Sequence, residues 1–129
     1  MAAENVELVR RLLDAWNRND WDEISDVLDP DVVGVPPEGW PEAGELVTDA
    51  DALLRQFERL KDSWEEERVD VKEVREVDGD VLVSAIWVTR GHNSGIELEA
   101  PISIRATVRE NRITRAEFRV DDSAARPPG

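Results

Sequence analysis

The 129-residue chain has no cysteine, no tyrosine, one methionine and one histidine. Without cysteine there can be no disulfide, thiolate nucleophile, zinc finger or iron–sulfur cluster. Without tyrosine no phenol can serve as an acid or oxyanion donor. The single imidazole, His92, cannot build a multi-histidine metal site. Basic residues are also scarce: 16 Lys and Arg face 30 Asp and Glu, for a net charge of −14. That balance argues against nucleic acid or an anionic membrane as partner, because both would be repelled. No apolar run approaches the ~20 residues of a membrane span. The opening Met1-Ala-Ala-Glu-Asn has no basic stretch leading into an apolar one, so no signal peptide is expected and a cytoplasmic location is. The acidic runs Asp20–Asp31 and Glu65–Glu67 lack calcium-loop spacing and read as solvated surface. No glycine-rich loop follows a strand, so neither a metal nor a cofactor is expected.

What is present suits one packed domain spanning residues 1–129. Hydrophobic residues make up 40% of the chain, and five Trp outnumber two Phe. The first half runs at helical period. Val6, Val9, Leu12, Leu13 and Trp16 recur every three or four residues, predicting an amphipathic helix over about 4–18. Asp20 and Glu23 have the spacing of a capping box for a short second helix carrying Trp21, Ile24, Val27 and Leu28. Asp29-Pro30-Asp31 should end it, with a short strand candidate at Val32–Val35. Residues 36–45, rich in Pro and Gly and holding Trp40, read as a loop. Thr48, three residues before Asp51, should cap a third helix carrying Leu53, Leu54, Phe57, Leu60 and Trp64.

From Glu66 the period switches to two. Val69 and Val71 alternate with charges, and Asp78-Gly79-Asp80 predicts a tight hairpin. Val81, Val83, Ala85 and Trp87 share one face of the next strand, leaving Ile86 and Val88 on the other. After a turn at Gly91–Gly95, Ile96, Leu98, Ala100, Ile102, Ile104, Ala106 and Val108 form a long one-sided strand. Glu110-Asn111 turns into a last strand, 112–120, with Ala116, Phe118 and Val120 on one face. The polar, Pro-rich end from about 122 to 129 should fray. Three helices followed by a four-strand antiparallel meander predict an α+β fold, with a curved sheet wrapped over the helices.

The segments Asn5-Val-Glu-Leu-Val-Arg-Arg, Ala15-Trp-Asn-Arg-Asn-Asp-Trp-Asp and Leu28-Asp-Pro-Asp-Val resemble the opening of SnoaL-like polyketide cyclases. The Asp78-Gly-Asp hairpin and the run Asn111-Arg-Ile-Thr-Arg-Ala-Glu-Phe-Arg-Val-Asp are similar to that family's final strands. The resemblance covers roughly residues 4–122. It implies the cone-shaped α+β fold of the nuclear transport factor 2-like (NTF2-like, cystatin-like) superfamily, and relatives commonly pair as homodimers. It does not fix an activity, since this fold hosts isomerases, dehydratases, epoxide hydrolases, cyclases and non-enzymes. The catalytic places of ketosteroid isomerases fall near Leu12, Val35 and Ile104. Those of limonene-type epoxide hydrolases fall at Ala85, Trp87 and Phe118, and the last-strand aspartate of the SnoaL-type cyclases also falls at Phe118. Each of these positions is apolar here.

The remaining polar candidates read as ordinary surface. Asp121 alternates in phase with Arg115, Glu117 and Arg119, away from the apolar face. His92 and Ser94 sit in a turn, and Gly-His-Asn-Ser-Gly is not a nucleophile elbow. The expectation is therefore a small apolar ligand held in an aromatic cavity formed by Leu12, Trp16, Trp40, Phe57, Ala85, Trp87, Ala116, Phe118 and Val120. The alternative is an enzyme on a polyketide- or terpenoid-like substrate, drawing its acid–base group from Asp31, Glu38 or Glu42. A filled cavity would leave a surface-acting protein. A homodimer through the outer sheet face is expected, covering Ile86 and Val88.

Overall fold

A computed structural model describes residues 2–35 and 47–120. Its elements, in chain order, are α1 (Ala2–Arg18), α2 (Trp21–Val27), β1 (Leu28–Val35), α3 (Ala50–Asp62), β2 (Glu66–Val77), β3 (Asp80–Arg90), β4 (Glu97–Arg109) and β5 (Arg112–Val120). The apolar stripe of α1 buries Leu8, Val9, Leu12 and Leu13. The helix stops in a Schellman arrangement. Asn19 takes φ +56°, its N–H donates to the Trp16 carbonyl, and the Asp20 N–H donates to the Ala15 carbonyl. Asparagine tolerates this left-handed geometry better than most residues.

Asp20 caps α2 by accepting from the Glu23 N–H at 3.1 Å. The box is only half closed, because the Glu23 carboxylate is taken by Arg11 of α1. The cap of α3 is Asp49, not Thr48: its carboxylate accepts from the Ala52 N–H at 2.7 Å. Asp49 has the extended backbone an N-cap needs, and its charge adds to the favourable field at a helix N-terminus.

The helices precede an α+β sheet of five strands, in the order β1-β5-β4-β3-β2. β2 to β5 form the expected antiparallel meander. The fifth strand is β1, which pairs parallel to β5 and makes the sheet mixed. It begins at Leu28 and runs through Pro30, with its register interrupted between Leu28 and Val33. Proline is tolerated there because β1 is an edge strand, where a missing N–H costs no ladder bond. Both two-residue hairpin turns place both residues at positive φ: Asp78 and Gly79, then Glu110 and Asn111. That is the turn family whose twist matches the strands it joins.

The other sheet edge, β2, is closed by a side chain. The Asn17 amide donates to the Val69 carbonyl at 2.9 Å and accepts from the Val69 N–H at 2.8 Å. Asn17 thus acts as one rung of an additional strand, tying α1 to an edge that would otherwise be open to pairing. α1 packs on β2 and β3, whereas α3 packs on β1. Between them, the inner face of β4 and β5 is left without close helical cover.

Candidate functional site

That uncovered stretch is a cavity of about 600 Å³, within the range of drug-sized ligand sites. Leu12, Leu13 and Trp16 of α1 form one side, and Leu53, Phe57 and Leu60 of α3 form another. Ile102 and Ile104 of β4, with Phe118 and Val120 of β5, make the floor. Gly34 and Val35 close the β1 end, and Trp64, Val69 and Trp87 the opposite end. At Gly34 a Cβ would lie 2.7 Å from Leu53 Cδ1, so a glycine there lets α3 approach the strand.

The aromatic rings are stacked edge to face. Phe57 stands at 85° to both Trp16, at 5.0 Å between centroids, and Phe118, at 6.0 Å. Trp64 meets Trp87 in the same way at 6.0 Å. Edge-to-face pairs fix ring orientation beyond what burial alone requires. The polar groups on the wall are Gln56, Arg59, Ser63, Ser103 and Arg119. Among the described residues no carboxylate and no histidine lines it.

Behind the wall lies the principal polar arrangement, and it corrects the reading of Glu65–Glu67 as solvated surface at Glu67, while Glu65 and Glu66 are exposed as expected. The Glu67 side chain is 2% exposed and Lys61 9% exposed, with Lys61 Nζ 3.1 Å from Glu67 Oε1. Trp16 Nε1 donates to both Glu67 oxygens, at 2.9 and 2.7 Å, and Trp87 Nε1 donates to Oε2 at 3.2 Å. Lys61 Nζ also donates to the Trp16 carbonyl at 2.7 Å and lies 4.3 Å from the Trp16 ring centroid. A buried carboxylate is tolerable only when paired and hydrogen-bonded, and this one is both. Burial is the main cause lowering the Lys61 pKa, with Glu67 opposing it. The cluster pins the N–H edges of two indoles that also line the cavity. Alternation hid this, because Glu67 sits among exposed charges and its partners come from elements far apart in the chain.

Of the residues expected to line the cavity, Leu12, Trp16, Phe57, Trp87, Phe118 and Val120 do so. Ala85 and Ala116 are buried in the sheet and are not part of the wall, their methyl groups being too short to reach past larger neighbours. Trp40, Glu38, Glu42, Asp121 and the 122–129 tail lie outside the described residues. The sequence reading missed the polar stripe of α3, since residues there were sorted by hydrophobicity. Leu12, Val35, Ile104, Trp87 and Phe118, five of the six apolar residues at the relatives' catalytic places, are all on the wall.

Asp31 is exposed on β1. His92 is an exposed turn residue whose Nε2 donates to the Asp62 carbonyl at 3.0 Å. Ser94 Oγ accepts from the Ile96 N–H at 3.2 Å. Among the described residues no three His, Cys, Asp or Glu side chains converge as a metal site. No described helix is long and apolar enough to cross a membrane. On the outer sheet face Val88 is already buried within the single chain and Ile86 is half-buried. Val88 sits between Arg68 and Glu99 of the neighbouring strands. Among the described residues the large apolar side chains left exposed are Ile96 (60%) and Leu98 (46%), in phase with Ile102 and Ile104 rather than on the outer face.

Comparison with known proteins agrees with this geometry. An NTF2-like protein from Burkholderia xenovorans LB400 superposes with a TM-score of 0.79 at 23% identity, covering 97% of this chain and 95% of that one. A candidate polyketide cyclase from Xanthomonas campestris pv. campestris gives 0.82 at 22% identity, covering 95% and 93%. An epoxide hydrolase of M. tuberculosis similar to the LEH type gives 0.79 at 15% identity, covering 96% and 87%. At such identities the likeness establishes the fold and leaves the chemistry open. No curated protein matches the chain in sequence. The family model for the SnoaL-like domain matches residues 9–116, which takes in every element from the middle of α1 to the middle of β5, and the chain belongs to that SnoaL-like family with its NTF2-like fold.

Proposed function

We infer that the protein binds a small, predominantly apolar molecule inside the aromatic-walled cavity, without turning it over. One observation carries this reading: a 600 Å³ space walled by Trp16, Phe57, Trp64, Trp87 and Phe118, with no carboxylate or histidine among the described residues on the wall. General acid–base catalysis needs a titratable group within hydrogen-bond reach of the reacting atom. The nearby carboxylate, Glu67, is already engaged by two indoles and a lysine. Affinity would come from burial, at roughly 25 cal/mol per Å² of apolar area.

The test is titration with N-phenyl-1-naphthylamine, a neutral apolar fluorophore, followed by quenching of tryptophan emission. Saturable one-to-one binding that weakens in Phe118→Ala is expected. Absence of saturable binding overturns the reading. So does discovery of a turnover that is abolished by substituting an acidic residue.

The protein's working state is proposed to be a homodimer. The exposed pair Ile96 and Leu98, one just before β4 and one near its start, supports burial of that end of the sheet against a second copy.

A further inference from the structure

The cavity wall has a charge that runs against the chain as a whole. Acids outnumber bases 30 to 16 in the sequence, yet among the described residues the charged ones on the wall are Arg59 and Arg119. The two arginines are not equivalent. Both are exposed, but Arg119 lies 3.5 Å from Glu117, so its charge is already partly answered. Arg59 enters no ion pair among the described residues; its carbonyl accepts from Ser63 Oγ at 3.0 Å.

Gln56, Arg59 and Ser63 are three and four residues apart, so they form one stripe along α3 and its C-cap, beside the apolar stripe of Phe57, Leu60 and, just past the helix, Trp64. Gln56 and Arg59 can each donate a hydrogen bond into the cavity, while the Ser63 hydroxyl, which already donates to the Arg59 carbonyl, can accept one. A further donor, Trp64 Nε1, is buried with no hydrogen-bond partner among the described residues. A helix that lines one cavity with rings on one stripe and donors on the next is matched by a molecule with an apolar body and an acceptor-rich end. The guanidinium fork fits a carboxylate with two parallel hydrogen bonds.

We propose that the ligand of this cavity is an apolar monocarboxylic acid whose carboxylate is held at the α3 side by Arg59. This rests on the binding reading above and names the chemical class of the ligand. The net charge of −14 opposes anions at long range, but separations beyond about 10 Å are screened at 0.1 M salt, whereas contact with Arg59 is not.

Three probes with one body and different heads test it: 1-pyrenebutyric acid, 1-pyrenebutanol and 4-(1-pyrenyl)butylamine, titrated at neutral pH and 0.1 M salt by energy transfer from tryptophan. The acid should bind roughly tenfold tighter than the alcohol, as for a partly solvated charge-assisted hydrogen bond, and the amine weakest of the three. In Arg59→Gln the acid and the alcohol should come within about twofold of each other. Arg115→Gln, which removes an exposed charge from the outer face of β5, should keep the wild-type ratio and so controls for net charge. If the alcohol binds as tightly as the acid, the carboxylate proposal is overturned while the apolar-cavity reading stands. If neither binds, both fall. An acid preference that survives Arg59→Gln overturns the assignment to Arg59.

Discussion

Replacing Glu67 with glutamine removes one charge and almost no volume, so its cost measures the polar cluster rather than a cavity. In the native protein the Glu67 carboxylate balances Lys61 and accepts from Trp16 and Trp87. Glutamine keeps one carbonyl acceptor but turns an NH₂ toward groups that are themselves donors. Losing one partner of a buried pair costs about 3–5 kcal/mol, a large share of the 5–15 kcal/mol typical of a whole domain. The melting temperature should fall by about 10–20 °C. Lys61→Met should cost less, about 1–3 kcal/mol, because the carboxylate keeps both indole donors.

Urea unfolding followed by tryptophan emission reads both variants, and Glu67→Gln should also shift native emission as Trp16 and Trp87 lose their anchor. The pH dependence has a definite sign. The folded-state pKa of Lys61 is lowered, chiefly by burial, so between that value and its ordinary 10.5 the unfolded chain holds more protons at this site. Stability from this residue therefore rises with pH through that window and levels off above it. Glutamine removes the raising influence of Glu67 and lowers the pKa further, so the deficit of Glu67→Gln should shrink as the pH rises to the wild-type folded-state value of Lys61 and stay level beyond it. A Glu67→Gln protein within about 0.5 kcal/mol of wild type, with unchanged emission, would refute the argument and show the pair to be as solvent-screened as a surface one.

Phe57→Ala should destabilise by about 3–5 kcal/mol, because Phe57 is buried between two rings. Phe118→Ala should cost distinctly less, since Phe118 is only half-buried and faces the cavity; equal losses in chemical denaturation would contradict this. Gly34→Ala should destabilise by about 1–3 kcal/mol by overpacking and weaken binding of the naphthylamine probe, as its Cβ meets Leu53 on the cavity wall. Light scattering at micromolar concentration should give twice the 14.6 kDa chain mass, with Leu98→Glu shifting the protein to the monomer; a wild-type monomer would defeat the dimer proposal.

The sequence alone determined where helices give way to strands. The change from three- and four-residue recurrence to strict alternation near residue 65 is a local property, set by which faces of each element are apolar. It also determined much of the wall, because Leu12, Trp16, Trp87 and Phe118 occupy inward phases that any packing of these elements must bury together. The tertiary structure decided what depends on partners distant in the chain. Asp49 displaced Thr48 as a cap because backbone angles, not spacing, choose between adjacent candidates. β1 joined β5 in parallel, a pairing no local pattern encodes. Ala85 and Ala116 had the right phase but too little reach. Glu67 carries the same local signal as its exposed neighbours and is buried only because Trp16, Lys61 and Trp87 converge on it from α1, α3 and β3. Hydrophobic period reports which way a side chain faces; whether a charge there is solvated, paired or aimed at a ligand is fixed by what the fold brings opposite it.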